Sequence, residues 1–122
     1  MAILAAINAN DLDEAARGCH PSIVYTIRGH GPFAGTYRGP NALADVLGRI
    51  KKATDGTMTG EPEVVVSDGD VLMLYMRVHG SRSDGRTYDN HQVYVYRFLD
   101  GLLIEGQTIP VDQQAFDAFT SA

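Results

Sequence analysis

Residues 71–109 read VLMLYMRVHGSRSDGRTYDNHQVYVYRFLDGLLIEGQTI, and this stretch decides the fold. It is rich in β-branched and aromatic residues, which favour strands. Asp-Gly dipeptides interrupt it, and Asp-Gly between strand-like runs is a strong hairpin signal. Together with a similar run before it, the stretch predicts an antiparallel meander. The predicted strands are about 57–66, 71–80, 87–98 and 102–109, separated by Asp68-Gly69, Asp84-Gly85 and Asp100-Gly101.

Helices are predicted before this meander. Pro40 suits the first position of a helix over about 40–54, whose apolar stripe has a helical period. A shorter helix follows Asp11, a predicted N-cap, with Leu12, Ala15, Ala16 and Cys19 at the spacing of one helical face. A strand is predicted over about 22–28. Residues 29–39 hold four glycines and are predicted to form a loop. Helices followed by consecutive antiparallel strands predict an α+β fold.

Length and composition restrict the class of protein. The 122 residues are enough for one domain with its own core, and we expect a single domain over residues 1–122. A net charge of −5 argues against nucleic-acid and anionic-membrane partners. Cys19 has no second cysteine to pair with, and the chain shows neither a signal peptide nor an apolar run long enough for a membrane span. We therefore expect a cytoplasmic location. The histidines, cysteine and acidic residues do not have the spacing of metal ligands, so no metal site is expected.

The two hairpins predict which side chains share a face, because directly opposed residues in antiparallel strands lie on the same side of the sheet. If both Asp-Gly pairs are two-residue turns, His79 opposes Asn90 and Tyr94 opposes Gln107. One face then collects polar and aromatic side chains: Tyr75, Arg77, His79, Asn90, Gln92, Tyr94, Tyr96, Glu105 and Gln107. The other collects apolar ones: Leu72, Leu74, Met76, Val78, Val93, Val95 and Ile104.

Two interpretations of the polar face are possible. It meets water while the apolar face covers the core, as in many antiparallel sheets. Alternatively it lines a ligand pocket, since tyrosines and amides with a few charges are more typical of a binding site than of an exterior.

The stretch from Cys19 to Phe119 resembles the SnoaL-like polyketide cyclase family of the nuclear-transport-factor-2-like superfamily. The segments that carry the resemblance are His20-Pro21-Ser22-Ile23-Val24-Tyr25, Phe33-Ala34-Gly35-Thr36-Tyr37-Arg38-Gly39, Asp84-Gly85-Arg86-Thr87, Val93-Tyr94-Val95-Tyr96-Arg97-Phe98 with Asp100-Gly101, and Pro110 through Asp112-Gln113. The resemblance implies a cone-shaped, strongly curved sheet wrapped around N-terminal helices, as in ketosteroid isomerases. It also implies a pocket on the concave face and a homodimer through the convex face. It therefore favours the polar face as the pocket lining, and leaves Leu74, Met76, Val93 and Val95 for the partner.

The resemblance carries over few catalytic residues. Where isomerases of this fold have an aspartate base, this chain has Thr26, which does not accept a proton at neutral pH. Their second, protonated aspartate matches Tyr94, and a phenol can also donate to an oxyanion. Epoxide hydrolases of the fold are matched only by Arg77, with His79 replacing one acid and Ile109 another. For the acidic base of the cyclases, the nearest counterpart is Glu105.

These observations lead to two functional hypotheses. The first is a cofactor-independent acid–base enzyme (an isomerase, cyclase, dehydratase or hydrolase) acting on a small, largely apolar carbonyl or hydroxyl compound. Tyr94 would stabilise an oxyanion, and His79 or Glu105 would transfer the proton. The predicted ligand-binding residues are Thr26, Tyr75, Arg77, Asn90, Gln92 and Gln107. The second hypothesis is a non-catalytic binding or scaffold protein, supported by the replacement of the family's acids with Thr26 and Ile109.

Overall fold

The computed structural model of the protein describes residues 12–122, which form three helices and six strands. Asp11, the predicted N-cap of the first helix, lies outside the described residues. No helix in the described part of the chain is long and apolar enough to cross a membrane. In chain order the elements are α1 (Leu12–Arg17), β1 (Cys19–Ile27), β2 (Gly35–Arg38), α2 (Pro40–Ala53), β3 (Thr59–Asp68), β4 (Val71–Ser81), β5 (Thr87–Leu99), β6 (Leu102–Pro110) and α3 (Gln113–Thr120).

The six strands form one curved open sheet in the order β2-β1-β6-β5-β4-β3. Strands β3 to β6 are the predicted antiparallel meander, while β1 pairs with β6 in parallel. Helix α2 packs against β1 and β2, and α3 packs against β5 and β6, so the core lies between the helices and one face of the sheet. The prediction of an α+β fold with a mixed, mostly antiparallel sheet is confirmed.

Two local predictions were wrong. The loop predicted over 29–39 contains strand β2, which pairs with β1 through partners such as Tyr25 and Tyr37. The chain also leaves α1 sooner than its apolar spacing indicated, and Cys19 begins β1. In both places sheet pairing along β1 replaces the local preference, which tertiary contacts often do.

The β4–β5 hairpin differs by one residue from the prediction. Its loop is Ser83-Asp84-Gly85, closed by a 2.8 Å hydrogen bond from the Arg82 amide to the Arg86 carbonyl. Gly85 adopts the left-handed conformation (φ 93°) that ends such three-residue loops. An odd loop shifts the pairing, so His79 lies opposite Asp89 and Arg77 opposite His91.

The β5–β6 hairpin begins as predicted, with Leu99 opposite Leu102. Asp100 (φ 52°) and Gly101 (φ 78°) both have the positive φ of a type I′ turn. A bulge then adds one residue to β6 between the pairs Phe98–Leu103 and Arg97–Glu105. Beyond the bulge every opposed pair moves by one residue, and Tyr94 lies opposite Thr108 rather than Gln107.

These two shifts redistribute the side chains between the faces, because a slip of one residue moves a strand's side chains to the other side. Leu74 and Met76, expected to contact a partner, are 3% and 0% exposed and belong to the core. The inner face, which meets the helices, carries Ile23, Tyr25, Ile27, Leu74, Met76, Val78, Tyr88, Asn90, Gln92, Tyr94, Tyr96, Leu103, Gly106 and Thr108. The outer face carries Met73, Tyr75, Arg77, His79, Asp89, His91, Val93, Val95, Arg97, Glu105 and Gln107.

The β4–β5 loop also binds the end of α3. Asp112 caps this helix, accepting a hydrogen bond from the Ala115 amide at 3.0 Å. At the other end, Arg82 donates to the carbonyl of Phe119 at 3.0 Å, and Arg86 donates to that of Ala118 at 3.1 Å. The two arginines that flank the loop thus satisfy carbonyls that the last helical turn leaves without partners.

The parallel pair β1–β6 depends on one glycine. The ring of Tyr25 lies on the backbone of Gly106, so that a Cβ at position 106 would come within 2.4–2.5 Å of two ring carbons. Tyr25 is 7% exposed, and its hydroxyl hydrogen-bonds to that of Thr108 at 2.7 Å. A side chain at position 106 would therefore displace a ring that is held at both ends.

We predict that Gly106→Ala destabilises the protein by about 1–3 kcal/mol, as overpacking of a core usually does. Gly60→Ala is the matched control, since its Cβ would meet the Met76 methyl at 2.7 Å, the flexible end of a side chain that can move. The free energy of unfolding from urea denaturation should fall more for Gly106→Ala. An equal or smaller loss than for Gly60→Ala would contradict this packing.

The outer face of the sheet is polar at one end and apolar at the other. Arg77 binds Asp89 through two hydrogen bonds of 3.1 and 2.9 Å, and His91 lies 2.6 Å from Glu63. The apolar end, on β3 and β4, consists of exposed side chains: Val64, Val66, Met73 and Tyr75. Contiguous exposed apolar residues mark interaction surfaces, so a homodimer through this face stays our prediction.

We predict that light scattering at micromolar concentration gives about twice 13.2 kDa. Val66→Lys should weaken the dimer, because it places a charge in this apolar end. Val65→Lys is the control: Val65 is equally exposed (58% against 56%) but lies on the other face of the same strand. A monomeric wild type, or equal effects of the two changes, would show that this face is not the interface.

Candidate functional site

A cavity of about 90 Å³ lies between the inner face of the sheet and the helices α2 and α3. Apolar side chains form most of its wall, and a few polar groups converge on it, which is typical of small-molecule sites. The lining residues are Tyr25, Ile27, Leu47, Ile50, Lys51, Met58, Thr59, Gly60, Val78, Gln92, Tyr94, Tyr96, Thr108 and Phe116.

Strand β5 supplies polar groups to the wall that the sheet forms on one side of the cavity, and further polar groups that lie behind this wall. Side chains of a strand alternate between its faces, so residues 88, 90, 92, 94 and 96 all point inward. Asn90 is 8% exposed and Gln92 only 2%. Buried amides need hydrogen-bond partners, and here they find them in the neighbouring tyrosines and, for Asn90, in the backbone of Asp112.

The resulting hydrogen-bond chain begins at the backbone of Asp112. The Asp112 amide donates to Asn90 Oδ1 at 3.3 Å, and Asn90 Nδ2 donates to the Asp112 carbonyl at 2.9 Å. A backbone N–H can only donate and a carbonyl only accept, so these two bonds determine the orientation of the Asn90 amide. Asn90 therefore presents a donor to the next member of the chain.

From Asn90 the direction of every later bond follows. Asn90 Nδ2 donates to the Tyr88 hydroxyl at 2.9 Å, and this hydroxyl donates to Gln92 Oε1 at 2.6 Å. Gln92 Nε2 must then donate to the Tyr94 hydroxyl, 3.0 Å away. Tyr94 is thus an acceptor within the chain, and among the described residues nothing accepts its own proton. That proton is available to a molecule in the cavity.

The neighbouring phenols remain protonated at neutral pH. Burial raises the pKa of Tyr94, Tyr96 and Tyr25, since removal from water penalises the phenolate. The Tyr94 and Tyr96 rings stack with centroids 5.9 Å apart, which holds the Tyr94 ring in the cavity wall. Tyr94 is therefore suited to donate a hydrogen bond and not to act as a base.

Lys51 is the cationic group of the cavity wall. It is half-buried near the end of α2, and its Nζ donates to the carbonyl of Met58 at 3.0 Å. Burial lowers the pKa of its ammonium group. Among the described residues that line the cavity there is no aspartate, glutamate or histidine.

Three of the residues predicted for the site lie on the inner face. Tyr94 and Gln92 line the cavity, and Asn90 lies behind them as the start of the hydrogen-bond chain. Their common placement on one face was predicted, although through the wrong partners on β4 and β6.

For the other six the predicted placement in the pocket was wrong. The odd-numbered loop places Tyr75, Arg77 and His79 on the outer face, where Tyr75 stacks on His91 and His79 lies 3.5 Å from Glu61. The bulge in β6 does the same to Glu105 and Gln107, and with them to Thr26, the partner of Gln107 on β1. These outward residues are Thr26, Tyr75, Arg77, His79, Glu105 and Gln107.

Sequence reasoning missed Tyr25 and Lys51. Ile23, Tyr25 and Ile27 alternate along β1 and are all buried, so their period of two indicated an inward tyrosine. Lys51 follows Leu47 by four residues and therefore shares the apolar face of α2. Its place near the helix end gave no separate signal of a site, because the helix dipole by itself favours a cation there.

The described residues contain no cluster of histidine, cysteine, aspartate or glutamate that could hold a metal ion. The polar groups of the described cavity wall are the Gln92 amide, the Lys51 ammonium group and several hydroxyls, among them that of Tyr94.

Comparisons with known proteins agree with the fold. An uncharacterised protein of Mycobacterium tuberculosis is 30% identical over 117 residues, which cover 94% of this chain and 88% of the relative. A protein of Xanthomonas campestris with a cystatin-like fold superposes with a TM-score of 0.91 at 24% identity, covering 99% of this chain and 94% of its own. A protein of Catenulispora acidiphila with a ketosteroid isomerase-like fold gives 0.84 at 11%, covering 98% and 88%. The SnoaL-like domain family matches residues 2–106, and the chain belongs to this family.

Proposed function

We propose that this protein binds a small, largely apolar organic molecule that presents a hydrogen-bond acceptor, such as a carbonyl oxygen, to the hydroxyl of Tyr94. The supporting observation is the direction of the hydrogen-bond chain that starts at Asn90. Gln92 donates to the Tyr94 hydroxyl, and the proton of that hydroxyl has no acceptor among the described residues. A ligand acceptor would complete the chain, while an apolar atom there would leave the proton unsatisfied.

The wall around Tyr94 favours an apolar ligand body. Ile27, Leu47, Ile50 and Phe116 line the same cavity, and burial of apolar surface supplies most of the free energy of binding to such sites. At about 90 Å³ the cavity is smaller than the roughly 150 Å³ apolar cavity that admits benzene in another protein, but it is partly open to the surface. A probe should therefore have no more than one ring, with part of the molecule in the open side of the cavity.

Acid–base catalysis is the second candidate, and Tyr94 would then stabilise an oxyanion. The raised pKa of Tyr94 keeps the phenol protonated, so that it can donate a hydrogen bond to charge that develops on the ligand. His79 and Glu105, the expected bases, lie on the outer face. Since no carboxylate or histidine lies among the described lining residues, ligand binding is the better-supported function.

We predict that Tyr94→Phe weakens binding of acetophenone relative to ethylbenzene, which has CH₂ in place of the carbonyl. The affinity ratio of the two probes should fall about 3–10-fold, the value of one neutral hydrogen bond. NMR titrations of ¹⁵N-labelled protein measure both affinities, and the ratio cancels packing effects common to both probes. If neither probe binds wild-type protein at millimolar concentration, or if Tyr94→Phe leaves the ratio unchanged, the proposal is wrong.

A second pair of variants tests the direction of the chain. Gln92→Glu, when ionised, only accepts, so it would take the Tyr94 proton away from the ligand. Gln92→Met removes the donor but adds no acceptor, so Tyr94 still serves the ligand. The acetophenone-to-ethylbenzene ratio should therefore fall several-fold in Gln92→Glu at a pH above the pKa of the new carboxyl, and stay near the wild-type value in Gln92→Met. Equal ratios in the two variants would contradict the direction.

A further inference from the structure

We infer that Lys51 is the second polar contact of the ligand, and that the ligand therefore carries an anionic group of the carboxylate or phenolate class in addition to the acceptor that binds Tyr94. The inference rests on the proposed binding function and extends it, since it names the charge of the ligand. Its evidence is separate: the place, partners and surroundings of one side chain on the helix wall.

The helix brings Lys51 to the cavity together with two apolar residues. Leu47, Ile50 and Lys51 have the i, i+3, i+4 spacing of one helix face, and all three line the cavity. The next residue, Lys52, is exposed and does not line it. Of the two adjacent lysines, only Lys51 thus lies where a bound molecule would touch it.

The hydrogen-bonding capacity of Lys51 is only partly used. An ammonium group has three N–H donors, and the one partner that Lys51 has within the described residues is the carbonyl of Met58. The ion pairs of the described residues involve arginines and histidines, and none includes Lys51. A cation that is partly withdrawn from water without a carboxylate partner is complementary to an anion.

The surroundings favour an anion from the ligand over one from the protein. Every described side chain that lines the cavity is apolar, hydroxyl-bearing or amide-bearing, except Lys51 itself. An anionic ligand would therefore meet no repulsion from the described wall. Burial already lowers the pKa of Lys51, so an anion bound beside it should raise that pKa again.

A purely structural role for Lys51 makes different predictions. Lys51 lies in the last turn of α2, where a cation interacts well with the helix dipole, and its bond to Met58 holds the connection to β3. Such a role would make Lys51 matter for stability. It would not make the charge of a ligand matter for binding.

The test compares acetophenone with 4-acetylbenzoate, which has the same carbonyl and adds a carboxylate. NMR titrations would use wild-type protein, Lys51→Met, which keeps an apolar stem, and Lys52→Met as the matched control. We expect Lys51→Met to lower the affinity for 4-acetylbenzoate about 5–20-fold relative to acetophenone, and Lys52→Met to change this ratio less than twofold. Added salt should reduce the wild-type preference for the anion.

A measurement on the unchanged side chain covers the case that Lys51→Met does not fold. The pKa of Lys51, followed through its Cε resonance, should rise when 4-acetylbenzoate binds and stay constant when acetophenone binds. If acetophenone binds while the carboxylate changes neither this pKa nor the affinity, the inference about Lys51 is wrong and the binding proposal stands. If neither probe binds, the proposed function itself fails.

Discussion

The site depends on the pair of hydrogen bonds between the Asn90 amide and the backbone of Asp112. The oxygen and nitrogen of a side-chain amide can usually exchange places by a flip of the amide group. Here one backbone donor and one backbone acceptor allow Asn90 only one of the two orientations. Each later group has one way to satisfy its neighbour, so the orientation passes through Tyr88 and Gln92 to Tyr94. Because Asp112 also caps α3, the start of that helix and the polarity of the cavity wall have a common origin.

The sheet separates two kinds of polar group. The outer face carries the ion pair Arg77–Asp89 and the contact between His91 and Glu63, and water there reduces the cost of a charge. The inner face has hydroxyls and amides, which hydrogen-bond to each other without net charge. Lys51 departs from this division, because it brings a charge to the inner side from the helices. That exception is the reason to look for its counterpart in the ligand.

Much of the fold follows from local sequence signals, while the site depends on single-residue offsets. Strand composition, Asp-Gly turns and the Pro40 helix start predicted the meander, α2 and the α+β class. The face on which a side chain lies depends on the exact number of loop residues. The β4–β5 loop includes Ser83 and so has three residues, where the sequence predicted two. The bulge in β6 has no comparable local signal. It accompanies a contact between Gly106 and the ring of Tyr25, a residue 81 positions earlier in the chain, and so distant a contact leaves no mark on the sequence around the bulge. Sequence reasoning placed Tyr94, Gln92 and Asn90 on one face correctly because they alternate along a single strand. A shift in the pairing with a neighbouring strand does not change this alternation.

The contact between Tyr25 and Gly106 also bears on how the cavity forms. Strands β3 to β6 are joined by short connections, whereas β1 reaches β6 across most of the chain, and Tyr25 and Thr108 are 83 positions apart. Pairing of such distant segments carries a larger loop-closure cost than hairpin formation. A chain in which the meander has formed but β1 has not docked lacks one wall of the cavity. A ligand that needs this wall binds only the completed fold, so it should act by slowing the opening of the native protein and leave the rate of folding nearly unchanged.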